Sequence, residues 1–95
     1  MRQLREQRGW SQEKVGVALG IDESSSRARI SRYELGVHEP PVLTAKLIAD
    51  AFDVPLTFLY CEDDGLAALL LALHKLGHAD RIKQVQKFLE HLALN

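Results

Sequence analysis

A single cysteine, Cys61, rules out any disulfide within this chain and fits a reducing compartment. No stretch comes near 18 uninterrupted apolar residues, so a membrane-spanning helix is excluded; the longest greasy run, Leu66–Leu73, is too short. No signal-peptide pattern is present. The sequence also lacks a glycine-rich phosphate loop, a nucleophile elbow and a kinase-type signature, and with them the usual grounds for an enzyme. Strand-like alternation, internal repeats and low-complexity tracts are missing as well. These absences predict a soluble, cytoplasmic, all-α protein with no cofactor.

A marked excess of either charge is missing too. The net charge is −1, whereas nucleic-acid-binding domains are usually basic. Its distribution is uneven: residues 1–35 hold seven Lys/Arg against five Asp/Glu, and residues 36–95 hold five against eight. One end is therefore better suited to face phosphate than the other. Ninety-five residues, 46% of them apolar, make one domain's worth of core. A core of that size is marginal alone and gains from a dimer interface.

What is present is a succession of helix signals. Met1–Arg8 reads as a short helix anchored by Leu4 and ended by Gly9. Ser11 is a good N-cap for a second helix, although Lys14 stands where a full capping box has Glu or Gln. Val15, Ala18 and Leu19 form its expected inward face, with Gly20 as its stop. Asp22 is the expected N-cap of a third helix over Ser24–Leu35, with Ile30 and Tyr33 inward and Gly36 ending it. A stiff loop with Pro40 and Pro41 leads to a helix over Val42–Phe52, whose buried stripe is expected to be Leu43, Leu47, Ile48, Ala51 and Phe52. Pro55 opens a short helix through Tyr60. Asp63 or Asp64 starts another through Leu76, and Asp80 a last one through Leu94.

Taken at 100° per residue, the third helix separates its faces. Ala28 and Arg32 point away from Ile30 and Tyr33; Ser24, Ser25 and Ser31 flank them, and Arg27 and Arg29 lie on the shoulders. Small residues keep this surface slim. The Ala28 methyl suits a thymine methyl, and Arg32 suits a guanine edge. The blander assignment is a solvated face whose arginines pair with Glu23 or Glu34. Ser11 and the exposed N–H groups beside it favour an anion.

Four stretches resemble the Cro/repressor-type helix-turn-helix family, also called the xenobiotic-response-element family: LREQRGWSQEKVGVALG at 4–20, RISRYELG at 29–36, Pro40 with the apolar helix after it, and VPLTFLY at 54–60. The resemblance covers residues 1–62. It implies a five-helix globule whose third helix lies in the major groove, and it gives Gln12 the task of donating to phosphate and bracing that helix. The expected DNA-facing set is then Ser11, Gln12, Ser24, Ser25, Arg27, Ala28, Arg29, Ser31 and Arg32.

Three departures stand out. The connection from Gly20 to Ile30 looks longer than the family's usual turn. The loop GVHEPP at 36–41 lacks the basic residues that hold phosphate. With the sequence starting almost inside helix one, an upstream arm is not expected.

Residues 63–95 lie beyond the resemblance and read as a helical hairpin. Leu66, Leu69, Leu70 and Leu73 on one helix, with Val85, Phe88, Leu89 and Leu92 on the other, offer more apolar surface than one hairpin hides. They are the expected homodimer interface. Two function classes follow: a transcriptional repressor reading a palindromic operator in double-stranded DNA as a homodimer, or an interaction module, such as the antitoxin of a toxin pair, whose tail holds a partner protein. His38, His74, His78 and His91 do not assemble into a metal site, because Gly77 separates the only close pair and Cys61 has no neighbouring cysteine. The Glu62-Asp63-Asp64 cluster is explained by helix capping without catalysis.

Overall fold

A computed structural model describes residues 1–94, and among them every regular element is an α-helix. The order is α1 (Arg2–Gln7), α2 (Gln12–Ala18), α3 (Glu23–Glu34), α4 (Val42–Phe52), α5 (Leu56–Tyr60), α6 (Asp64–His74) and α7 (His78–Leu94). Five helices precede a two-helix extension, as expected. The chain divides into two compact units, Met1–Leu56 and the remainder from Thr57.

The first unit is built on a small core. Val15, Ile30, Ala45, Ile48, Ala49, Phe52 and Val54 are buried, with Leu4 at its edge. Each large aliphatic or aromatic side chain among them contributes about 1.5–3 kcal/mol through burial. Trp10 stacks on Phe52 with ring centroids 5.3 Å apart, which fastens the end of α1 to α4. The Arg8 guanidinium lies 5.2 Å from the Phe52 centroid and donates to the Phe52 carbonyl, covering the stack from outside.

The helix ends follow their caps. The Ser11 hydroxyl accepts from the Lys14 N–H at 3.0 Å, satisfying one of the free donors at the start of α2. Gly20, at φ +82°, lets the chain leave α2 and turn sharply into α3. Asp22 occupies the N-cap position of α3, but its side chain makes no capping hydrogen bond. The connection between α2 and α3 is short, Leu19–Asp22, not long. The residues that looked like an extended turn are the first turns of α3 itself, which begins at Glu23.

Three inward assignments differ in the structure. Ala18 is exposed, and α2 buries Gly16 beside Val15 instead. Leu43 and Leu47 are 75% and 48% exposed; α4 turns Ala45, Ile48, Ala49 and Phe52 to the core. This helix carries apolar residues on more than one side, and the small alanines permit the closer packing. In the hairpin, α6 stops at His74 and α7 already starts at His78, so the connection is tighter than Gly77 and Asp80 suggested. Asp63 does cap α6, accepting from the Leu66 N–H at 2.9 Å.

Candidate nucleic-acid interface

The position of α3 is set in part by residues that carry no apolar signal. Gly16 in α2 faces Ser26 in α3, and the approach is so close that a Cβ at Gly16 would lie 2.3 Å from the Ser26 Cβ. Ser26 is fully buried, and its hydroxyl donates to the carbonyls of Ile21 and Asp22 at 3.1 and 2.9 Å. The serine therefore satisfies its own polarity inside the α2–α3 junction, the most extensive helix contact in the chain. Ile30, also fully buried, anchors the next turns of α3.

The far end of α3 is held by charge. The Glu34 side chain has no exposed surface and accepts from Arg5 Nε at 2.9 Å to Oε1 and 3.2 Å to Oε2. Gln12 Nε2 donates to the same Oε1 at 3.4 Å. Arg5 uses its remaining reach to donate from an NH1 nitrogen to the Trp10 carbonyl at 3.0 Å. Glu34 is thus tied to both α1 and the start of α2. A carboxylate at a helix C-terminus is disfavoured by the helix dipole, and the guanidinium offsets that here.

With Ser26, Ile30 and Glu34 turned inward, the opposite side of α3 is free. Ser24, Ser25, Arg27, Ala28, Arg29 and Arg32 are exposed, and Ser31 is half-buried on the side nearer the core. Arg5 forms ion pairs with Glu6 and with Glu34. No ion pair among the described residues engages an arginine of α3, so the assignment of these cations to Glu23 or Glu34 does not hold. Three unpaired guanidinium groups project from one helix surface with only small side chains between them.

Ser11, exposed, and Gln12, half-buried, lie apart from that surface in sequence but adjoin it in space. Together with Arg5, Glu13 and Arg27 they line a shallow polar recess at the start of α2. The structure therefore brings Ser11, Gln12 and Arg27 together and carries Ala28, Arg29 and Arg32 onward along α3. The residues that the sequence reading missed are Arg5 and Glu34 as a clamp, and Gly16 and Ser26 as a close-packed joint. For Gly16 a signal existed, since a glycine inside a helix pattern often marks a close approach. The Arg5–Glu34 pair spans 29 residues and leaves no local trace.

On the other unit, Leu66, Leu69, Phe88, Leu89 and Leu92 are exposed, while Leu70, Leu73 and Val85 are half-buried. No helix among the described residues is long and apolar enough to cross a membrane.

Comparison with known proteins supports the fold and the family. The model of the Cro/C1-type helix-turn-helix family matches residues 1–59. Among solved structures, the chain is similar to the crystal structure of the transcriptional regulator BswR, at 34% sequence identity and a TM-score of 0.81. That alignment covers 95% of this chain and 88% of the other. No curated protein matches.

Proposed function

This chain belongs to the Cro/C1-type helix-turn-helix family and is a DNA-binding transcriptional regulator, and from that premise we propose that it is a repressor that binds a palindromic operator as a homodimer. The observation that carries this reading is the outer face of α3, where Arg27, Arg29 and Arg32 stand exposed around Ala28, with no acidic partner among the described residues.

In this reading α3 lies in the major groove. Arg32 forks onto a guanine edge and Ala28 meets a thymine methyl, contacts that read sequence. Ser24, Ser25 and Ser31 allow a close approach, and Arg29 reaches a base edge or the backbone from its shoulder. Ser11, Gln12 and Arg27 take a phosphate in the recess at the start of α2, which fixes register and carries no sequence information. Arg5, itself on the rim of that recess, and Glu34 hold the angle at which α3 is presented.

A lone small module buries little surface on DNA. Two copies joined through their last helices would present two α3 helices to half-sites about one helical turn apart. Occupying such a site within a promoter excludes polymerase. The exposed leucines of α6 and α7 support this assembly.

The test is selection of bound duplexes from a random pool, followed by transcription from a template carrying the selected site. An inverted repeat with half-sites about 10 base pairs apart, and reduced transcription, is the expected result. Recovery of an unpaired single site removes the two-fold reading. A chain that enriches no sequence and isolates as a monomer with a second protein favours the interaction module instead.

A further inference from the structure

Arg81 closes the corner of the hairpin, donating to the carbonyls of Leu73 at 2.9 Å, His74 at 3.1 Å and Leu76 at 3.0 Å. The last turn of α6 is thereby capped from the first turn of α7, and the two helices run back along one another. Leu69 and Leu73 share a groove with Val85 and Phe88. The surface of α7 continues past that groove. Ile82, Val85, Leu89 and Leu92 follow one another at three, four and three residues, the spacing of a heptad seam. Ile82, Leu89 and Leu92 are 52%, 59% and 53% exposed, so α6 leaves this strip of α7 uncovered. A furrow lined by Ile82, Val85, Gln86 and Leu89 marks the same strip.

We propose that this seam is filled by the identical seam of a second copy running in the opposite direction, with Ile82 against the second copy's Leu92 and Val85 against its Leu89. The proposal rests on the homodimer reading above and adds which helix makes the dimer and in which sense. The spacing calls for a partner helix, and the distribution of charge selects the direction.

One end of the hairpin is acidic: Glu62, Asp63 and Asp64 stand at the start of α6, and Glu90 lies near the end of α7, with Lys87 the cation one turn before it. The turn end is basic, with Lys75 and Lys83 exposed; Asp80 is the acid there, and Arg81 is occupied by the three carbonyls. Antiparallel pairing sets each acidic end beside the other copy's lysines. Parallel pairing sets the two acidic ends together and aligns the helix dipoles. An antiparallel pair is also isologous, each residue meeting its complement about one two-fold axis, so the assembly stops at two.

Cysteine placement decides it in the full chain carrying Cys61→Ser. Residues 82 and 92 are about 15 Å apart along a helix, beyond the reach of a disulfide. On oxidation, Ile82→Cys and Leu92→Cys are expected to cross-link with each other when mixed and not with themselves. Gln86→Cys lies close to the two-fold axis and is expected to cross-link with itself; as an exposed polar position it leaves the fold intact. Sedimentation of each reduced variant confirms the dimer mass. Self-cross-linking of both Ile82→Cys and Leu92→Cys means a parallel pair and overturns the proposal while the homodimer stands. A dimer that cross-links at none of the three positions places the interface elsewhere. A monomeric Cys61→Ser parent removes the homodimer reading, and the seam with it.

Discussion

Arg5 Nε stands 2.9 Å from Glu34 Oε1, joining the first helix to the last residue of α3 through a carboxylate with no exposed surface. The pair touches both structural ends of the proposed binding surface. Arg5 also lines the recess beside Ser11 and Gln12, and Glu34 closes the helix that carries Arg27, Arg29 and Arg32. A buried ion pair adds little net stability compared with apolar residues, but breaking one side of it is costly because the other charge stays buried.

Arg5→Met is therefore expected to destabilise the fold by about 3–5 kcal/mol, since Glu34 would keep its burial and lose its main donor. Adding Glu34→Leu to that variant should recover a substantial part of the loss, because the stranded charge disappears. Denaturant unfolding of both single variants and the double variant measures this. Strictly additive losses would show that the two side chains do not depend on each other.

Gly16→Ala sets two effects against each other. Alanine is the better helix former by about 1 kcal/mol. Its methyl, however, would sit 2.3 Å from the Ser26 Cβ and 2.8 Å from the Ser26 Cα, and a backbone atom cannot step aside as a side-chain tip can. The overpacking cost, about 1–3 kcal/mol, should win, and α2 and α3 should separate. A lowered melting temperature together with weakened DNA binding is the expected outcome. A melting temperature at or above that of the parent would mean that the junction accommodates a methyl.

The order of helices was readable because it depends on local chemistry. Ser11 and Asp63 are residues that cap helices, and both accept the hydrogen bond their positions require. Ile30 was readable as core because an isolated apolar residue among Ser and Arg can only face inward. The α4 stripe was not: Val42, Leu43, Ala45, Leu47, Ile48, Ala49 and Phe52 leave too little polar contrast for periodicity to choose a face, and Leu43 and Leu47 are exposed. The joint and the clamp escaped for a different reason. Gly16, Ser26, Arg5 and Glu34 are small or polar, and only tertiary proximity buries them. The outward set on α3 was legible by subtraction, because fixing Ile30 fixes the opposite face. That its arginines are unpaired was not legible, since Glu34 was a candidate partner until Arg5 was seen to hold it.

Arg32→Ala follows from that free face. Arg32 points away from Ile30 and has no carboxylate partner among the described residues. If it forks onto a base edge, its loss should reduce discrimination between the selected operator and random DNA by about 1–3 kcal/mol, leaving nonspecific affinity nearly unchanged. Anisotropy titrations of both duplexes at matched salt provide the comparison. Equal weakening on both duplexes, with a shallower salt dependence, would reassign the residue to phosphate.

Leu89→Asp probes the tail without touching the DNA surface. Leu89 is 59% exposed in a single chain, so an aspartate there remains hydrated and should leave the folded monomer stable. In a dimer built on the α7 seam, the same carboxylate would be desolvated against apolar partners. That cost is several kcal/mol even after relaxation, enough to shift a micromolar dimer to monomer. Sedimentation should show the halved mass with an unchanged helical spectrum. Because two half-sites would then be bound independently, operator affinity should fall while affinity for an isolated half-site stays the same. An unchanged mass would remove Leu89 from the interface, and a lost helical signal would show that α7 depends on this residue within its own chain.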